Sequence, residues 1–217
     1  MNSFVHRITV VLSLALFASS ALADDENIHI NWRLLAASKR VDAAQTRALI
    51  EQGAAINTRD REGETPLMMW VKAQDESMAA WLIGKGADVN QEALNQVTPL
   101  MAAAYAGNVA IMRLLIDAGA DLERVDRVSK TALTYAVGEG QVDAARLLLD
   151  RGADINRASS HGVTALMWAA GMGKTDCVKL LLERHADASL RDDRGKTAAD
   201  IARDLGKQET AALLERP

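Results

Sequence analysis

Thr65, Thr98, Thr131, Thr164 and Thr197 stand 33 residues apart. A spacing held through five positions restricts the chain to folds built from one repeated unit. A second series keeps the same period in fixed phase: Gly53, Gly86, Gly119 and Gly152, with His185 where a fifth glycine would fall. Two in-phase ladders define a unit with a landmark near each end. The chain is therefore a tandem array.

The unit's local chemistry predicts two helices. Thr65-Pro66 and Thr98-Pro99 read as helix starts: the hydroxyl accepts from a free backbone N–H, and proline fits the first helical position, where its missing donor has no partner. Ala132, Ala165 and Ala198 take the proline position in the later units, which keeps helix propensity without the preset angle. A turn follows near Gly107, Gly140, Gly173 or Gly206. Val109, Ile111, Met112, Leu114 and Leu115 then recur at helical spacing, predicting a second helix with one buried stripe. The Gly119 series closes that helix in left-handed backbone, where a side chain is expected to clash, so His185 is expected to strain its site. No unit buries its stripe alone, so units must stack.

The recurring segments read Gly63-Glu-Thr-Pro-Leu-Met68 and Val97-Thr-Pro-Leu-Met-Ala-Ala103, with Gly86-Ala-Asp-Val-Asn90 or Gly152-Ala-Asp-Ile-Asn156 further on. This unit resembles the ankyrin repeat, over roughly residues 27–217 with diverged first and last copies. The resemblance implies an all-α solenoid of stacked helix–turn–helix units joined by β-turn finger loops. About six units including caps are expected, near 31–59, 60–92, 93–125, 126–158, 159–191 and 192–217. At about 8–10 Å per unit they make a slab roughly 50–60 Å long. The family's T-P-L-H histidine is replaced by Met68, Met101 and Met167, and by Thr134 and Asp200. That departure implies loss of the usual polar stitching, reliance on adaptable apolar packing, and sensitivity to methionine oxidation. Asp88, Asp121, Asp154 and Asp187 recur at one position and read as loop-stabilising groups.

The first 23 residues are expected to be a signal peptide. Met1 to Arg7 is weakly basic, Ile8 to Ala18 is apolar, and Ala21-Leu22-Ala23 is a small-x-small cleavage site. The apolar run is too short to span a bilayer, which takes about 20 residues. A lead-in segment, 24–30, then precedes the repeat domain, 31–217, and the expected location is the periplasm or the secreted fraction. The single cysteine, Cys177, fits an oxidising compartment. It falls where Ile111 and Ala144 stand in other units, which predicts a buried inert thiol.

No catalytic, cofactor or metal constellation emerges. His29, His161 and His185 are dispersed without partners at ligand or catalytic spacing. Gly171-Met-Gly-Lys-Thr175 is too short for a phosphate-binding loop and reads as a repeat turn. Most of Met68, Met69, Met101, Met112, Met167 and Met172 read as core rather than as Cu(I) ligands. A formal charge of −4 without a basic stripe argues against nucleic acid.

The resemblance places function on the concave face. By the family's geometry, its surface positions in the third to fifth units are Leu94, Asn95, Val97 and Tyr105; Arg127, Val128, Lys130 and Glu139; and Ser160, His161, Val163 and Met172. The apolar members, with Val125, are expected to form a stripe that binds one folded protein partner, across a total of about 1,600 Å². Periplasmic proteins of this kind resemble two sorts: immunity proteins that block a secreted toxin, and accessory factors that support an envelope or oxidative-stress enzyme. Self-association is the further alternative, though a monomer is expected. The second unit is unusual, with Trp70 in place of the alanine of Ala103, Ala136, Ala169 and Ala202, Gln74 in place of the turn glycine, and Trp81 in place of leucine. It reads either as local repacking beside the diverged first unit, or as an exposed Trp70 edge or a flexed helix that anchors a partner.

Overall fold

The computed structural model describes residues 28–215. The expected signal peptide, 1–23, and the lead-in segment as far as residue 27 lie outside the described residues. Among the described residues there are twelve helices and no strand. They form six consecutive pairs: α1 (28–39) with α2 (Ala43–Glu51), α3 (Pro66–Lys72) with α4 (Glu76–Gly84), α5 (Pro99–Ala106) with α6 (Val109–Asp117), α7 (Ala132–Glu139) with α8 (Val142–Asp150), α9 (Ala165–Gly171) with α10 (Thr175–Glu183), and α11 (Ala198–Asp204) with α12 (Gln208–Leu214). The expected all-α solenoid is what the chain forms.

Each ladder threonine is an N-cap. The hydroxyls of Thr65, Thr98, Thr131, Thr164 and Thr197 accept from the N–H three residues on, at 3.2–3.4 Å. Three of the residues that replace the family histidine close the cap from the other side. Met101 Sδ accepts from the Thr98 N–H at 3.4 Å, Met167 Sδ from the Thr164 N–H at 3.5 Å, and Asp200 Oδ2 from the Thr197 N–H at 3.0 Å. Each pair is a reciprocal box, made twice with a thioether as the acceptor.

The histidine-position stitch is absent, but the expectation that apolar packing takes over from polar stitching is corrected. Asn57, Asn90, Glu123 and Asn156 each accept the backbone N–H of the next unit's aspartate (Asp88, Asp121, Asp154 and Asp187) at 2.8–2.9 Å. Those aspartates accept in turn from the N–H two residues on, at 2.8–3.0 Å, the loop role expected of them. The stitch sits in the loops after the second helices, where hydrogen-bonding capacity is independent of the first-helix position. Oxidation sensitivity also narrows: Met68, Met69, Met78, Met101, Met112 and Met167 are buried, and Met172 is 50% exposed.

The ladder glycines close the second helices at φ 89–97°, yet a Cβ at any of Gly53, Gly86, Gly119 or Gly152 would meet nothing within 4 Å. Torsion alone, rather than the expected clash, selects glycine there. His185 settles at φ 63°, the left-handed well open to a side chain.

Ala103, Ala136, Ala169 and Ala202 have no exposed surface. These small side chains let the first helices α5, α7, α9 and α11 pack against one another more closely than the second helices do. The array therefore curves with its first helices and fingers on the inside. One continuous core runs from Leu67 to Ala211, while Leu34, Ala37, Leu49 and Ala54 form a separate cluster in the first pair. Trp70 is wholly buried, so the expected exposed Trp70 anchor is corrected, and the indole is part of the packing of the second unit. Trp81 is half-buried between Arg47 and Lys85, which lie 5.3 and 5.5 Å from its ring centroid.

Candidate functional site

Five finger loops share one construction. In each, the N–H of Asp60, Ala93, Asp126, Ser159 or Asp192 donates to the carbonyl four residues on, at 2.9–3.1 Å. The side chains of Asp60, Asp126, Ser159 and Asp192 accept two further backbone N–H groups inside the turn. Ala93 has no such acceptor, and Asn95 Oδ1 takes the Val97 N–H at 3.1 Å instead. The fingers also bond to one another: Leu94 N–H to Glu62 O, Arg127 N–H to Asn95 O, and Asp193 N–H to His161 O, at 2.9–3.2 Å. Gly63 permits that approach, since a Cβ there would lie 2.8 Å from the Leu94 nitrogen. A hydrogen-bonded rim thus faces the first helices.

Between rim and helices lies a groove of about 470 Å³, lined among others by Asn95, Val97, Ala102, Tyr105, Ala106 and Tyr135. A second, more apolar groove of about 190 Å³ lies between α9 and α11, against Val163, Trp168, Met172, Ile201 and Leu205. An aromatic row joins them. Tyr105 and Tyr135 meet edge to face with centroids 6.2 Å apart, the favoured quadrupole geometry. Lys130 then places its Nζ 5.6 Å from the Tyr135 ring centroid and 4.1 Å from that of Trp168, a cation held by two π faces. The Tyr135 hydroxyl donates to Asp126 Oδ2 at 2.6 Å. Burial, followed by this carboxylate, pushes the Tyr135 phenol far above its ordinary range, so Tyr135 stays neutral.

The structure sorts the residues proposed from sequence into groups. Asn95, Val97 and Tyr105 line the larger groove, and Val163 and Met172 the smaller one. Lys130 bridges the two. Leu94 and Val128 stand out from the finger tips at 55% and 62% exposure, with Arg127 exposed beside Val128. Val125 is half-buried and lines neither groove, so the stripe does not run through it. His161 lies against Asp192 and Asp193 in a small cleft that also includes Val163, and its Nδ1 is 3.3 Å from the Ser160 hydroxyl. Glu139 is brought to none of these. It faces a polar groove at the helix–helix turns with Lys174, Asp176 and Glu209, because it ends α7 on the turn side, away from the fingers. Tyr135, Trp168, Asp126 and Leu205 were missed by the sequence reading. Tyr135 and Trp168 are 33 residues apart, in register with Ala102, and that aromatic replacement at one repeat position was the available signal.

Among the described residues no group of three or more His, Cys, Asp or Glu is placed to hold a metal ion. Cys177 is buried, and burial pushes its thiol up to about 11, so at neutral pH it is the inert core thiol expected. No described helix is long and apolar enough to cross a membrane.

Stacked helix pairs, a finger rim and a grooved inner face define a helical repeat solenoid, a scaffold for protein–protein interaction. Two family models match the chain: ankyrin repeats in three copies over residues 71–159, and ankyrin repeats in many copies over 147–202. The chain belongs to the ankyrin-repeat family, whose members are generally non-catalytic binding scaffolds. Comparison with curated proteins gives no match.

Proposed function

We propose that the chain is an exported, non-catalytic binding module that seats one folded protein partner across its concave face. The observation that carries this reading is the unbroken series from Tyr105 through Tyr135 and Lys130 to Trp168, with a groove at either end. Aromatic side chains in preformed grooves lose little freedom on binding and supply much of the energy of known interfaces. The weakly basic stretch Met1 to Arg7, the apolar run Ile8 to Ala18 and the small residues Ala21 and Ala23 support export to the periplasm. Within that compartment, occlusion of a secreted toxin is the leading use. It requires a tight complex that abolishes the partner's activity, whereas an accessory role requires one that sustains it.

The test is a C-terminally tagged full-length chain expressed in the source organism, beside the variant Leu94→Asp/Tyr105→Ala/Val128→Asp. Fractionation with mass spectrometry of the N-terminus is expected to find a periplasmic form beginning at Asp24; an uncleaved cytoplasmic chain overturns export. A protein that co-purifies with the wild type and not with the equally folded variant is the expected partner. Its assay with and without the module then gives the sign of the effect. Retention by the variant removes the concave face as the site.

A further inference from the structure

Taking the concave face as the binding site, we infer that the partner presents an acidic side chain flanked on both sides by bulky apolar ones, on one loop or strand of its surface. The starting point is the electrostatics around the two grooves. At the larger, Lys72 is paired with Glu64. At the smaller, Arg194 is paired with Asp192 at 2.6 Å. Both groove rims are thus neutralised from within.

The centre is different. Lys130 makes no ion pair among the described residues, and neither does Arg127 on the same finger. The carboxylate nearest in sequence is already taken: Asp126 is buried, its Oδ1 accepts from the Val128 and Lys130 N–H groups, and its Oδ2 accepts from Tyr135. The Lys130 ammonium is instead steadied by the faces of Trp168 and Tyr135. A cation already held in place loses less side-chain freedom when it meets a carboxylate. A second unpaired cation beside it, Arg127, favours the same sign of partner. The grooves are centred between one and one and a half units, or roughly 10–15 Å, from Lys130, which is about three to five residues of extended chain. The face therefore reads apolar, then positive, then apolar, and its complement is apolar, then acidic, then apolar.

The experiment selects a displayed library of random linear peptides on the full chain and measures the Kd of the survivors. Enriched sequences are expected to carry Asp or Glu between two bulky apolar positions. Lys130→Gln and Lys130→Glu, both checked for fold by circular dichroism, are expected to weaken those peptides by about tenfold or more. Selection repeated on Lys130→Glu is expected to enrich a basic residue at the same place. Enrichment without a central acid, or undiminished binding to Lys130→Gln, overturns the inference. It leaves the concave face standing if Tyr105→Ala/Met172→Asp abolishes binding. Peptides that bind this last variant undiminished, or no enrichment over background, overturn both.

Discussion

Val41 holds φ 58° in the turn between α1 and α2, a β-branched residue in the left-handed region. Later units place Gly107, Gly140, Gly173 and Gly206 at the corresponding turn, at φ 68–83°. Left-handed backbone costs a residue with a Cβ about 1–2 kcal/mol, partly offset because glycine loses more freedom on folding. Since Val41 is 51% exposed, Val41→Gly gives up little burial. It is expected to raise stability by about 1 kcal/mol, read as a higher urea midpoint with unchanged slope. The ladder glycines were legible because a closing residue repeats at one period. Val41 keeps the same 33-residue register as Gln74 and Gly107, but it was not legible because a β-branched residue gives no local signal for left-handed backbone.

At the scale of one helix, α3 departs most from its siblings. Trp70 fills, with no exposed surface, the position where the five other units have alanine (Ala37, Ala103, Ala136, Ala169 and Ala202). Trp70→Ala restores the residue common to those units, but it empties a fully buried site that the indole fills. The substitution is therefore expected to cost about 3–5 kcal/mol, measured by denaturant unfolding. The first helix of the last unit, α11, carries a pH dependence. The Thr197 N–H and hydroxyl, then Arg203, hold the Asp200 carboxyl down at about 2 against an ordinary 3.8. A depressed carboxyl stabilises the fold above its unfolded value and loses that contribution as pH falls from about 3.8 to about 2. The gap in thermal midpoint between wild type and Asp200→Asn is expected to close across that window. The capping role was readable from Thr197; the acid's part in it needed the reciprocal geometry.

For the whole molecule, the division of the core matters most. The pair α1–α2 has its own cluster, and Ile50 packs against both that cluster and the continuous core beyond. Solenoid stability is a sum of unit and nearest-neighbour terms, so the weakly joined end opens first. Native-state hydrogen exchange is expected to show amides of 28–52 exchanging well before those of α5 to α10. Uniform protection along the chain would show that the two clusters open as one.

The period, the helix starts and stops, the buried Cys177 and the all-α class were determined by the sequence itself. Caps and helical stripes act over a few residues and repeat in phase, so their chemistry is legible without contacts. The exposed finger residues Leu94 and Val128 were legible in the same way, as apolar residues in a loop register. Tertiary structure decided what lies across units: the burial of Trp70, the asparagine stitch, the separation of Glu139 from the groove, and the row that sets Lys130 between Tyr135 and Trp168. Those contacts join residues about one period apart, and which side chains meet depends on the stacking distance and curvature of the helices rather than on local propensity.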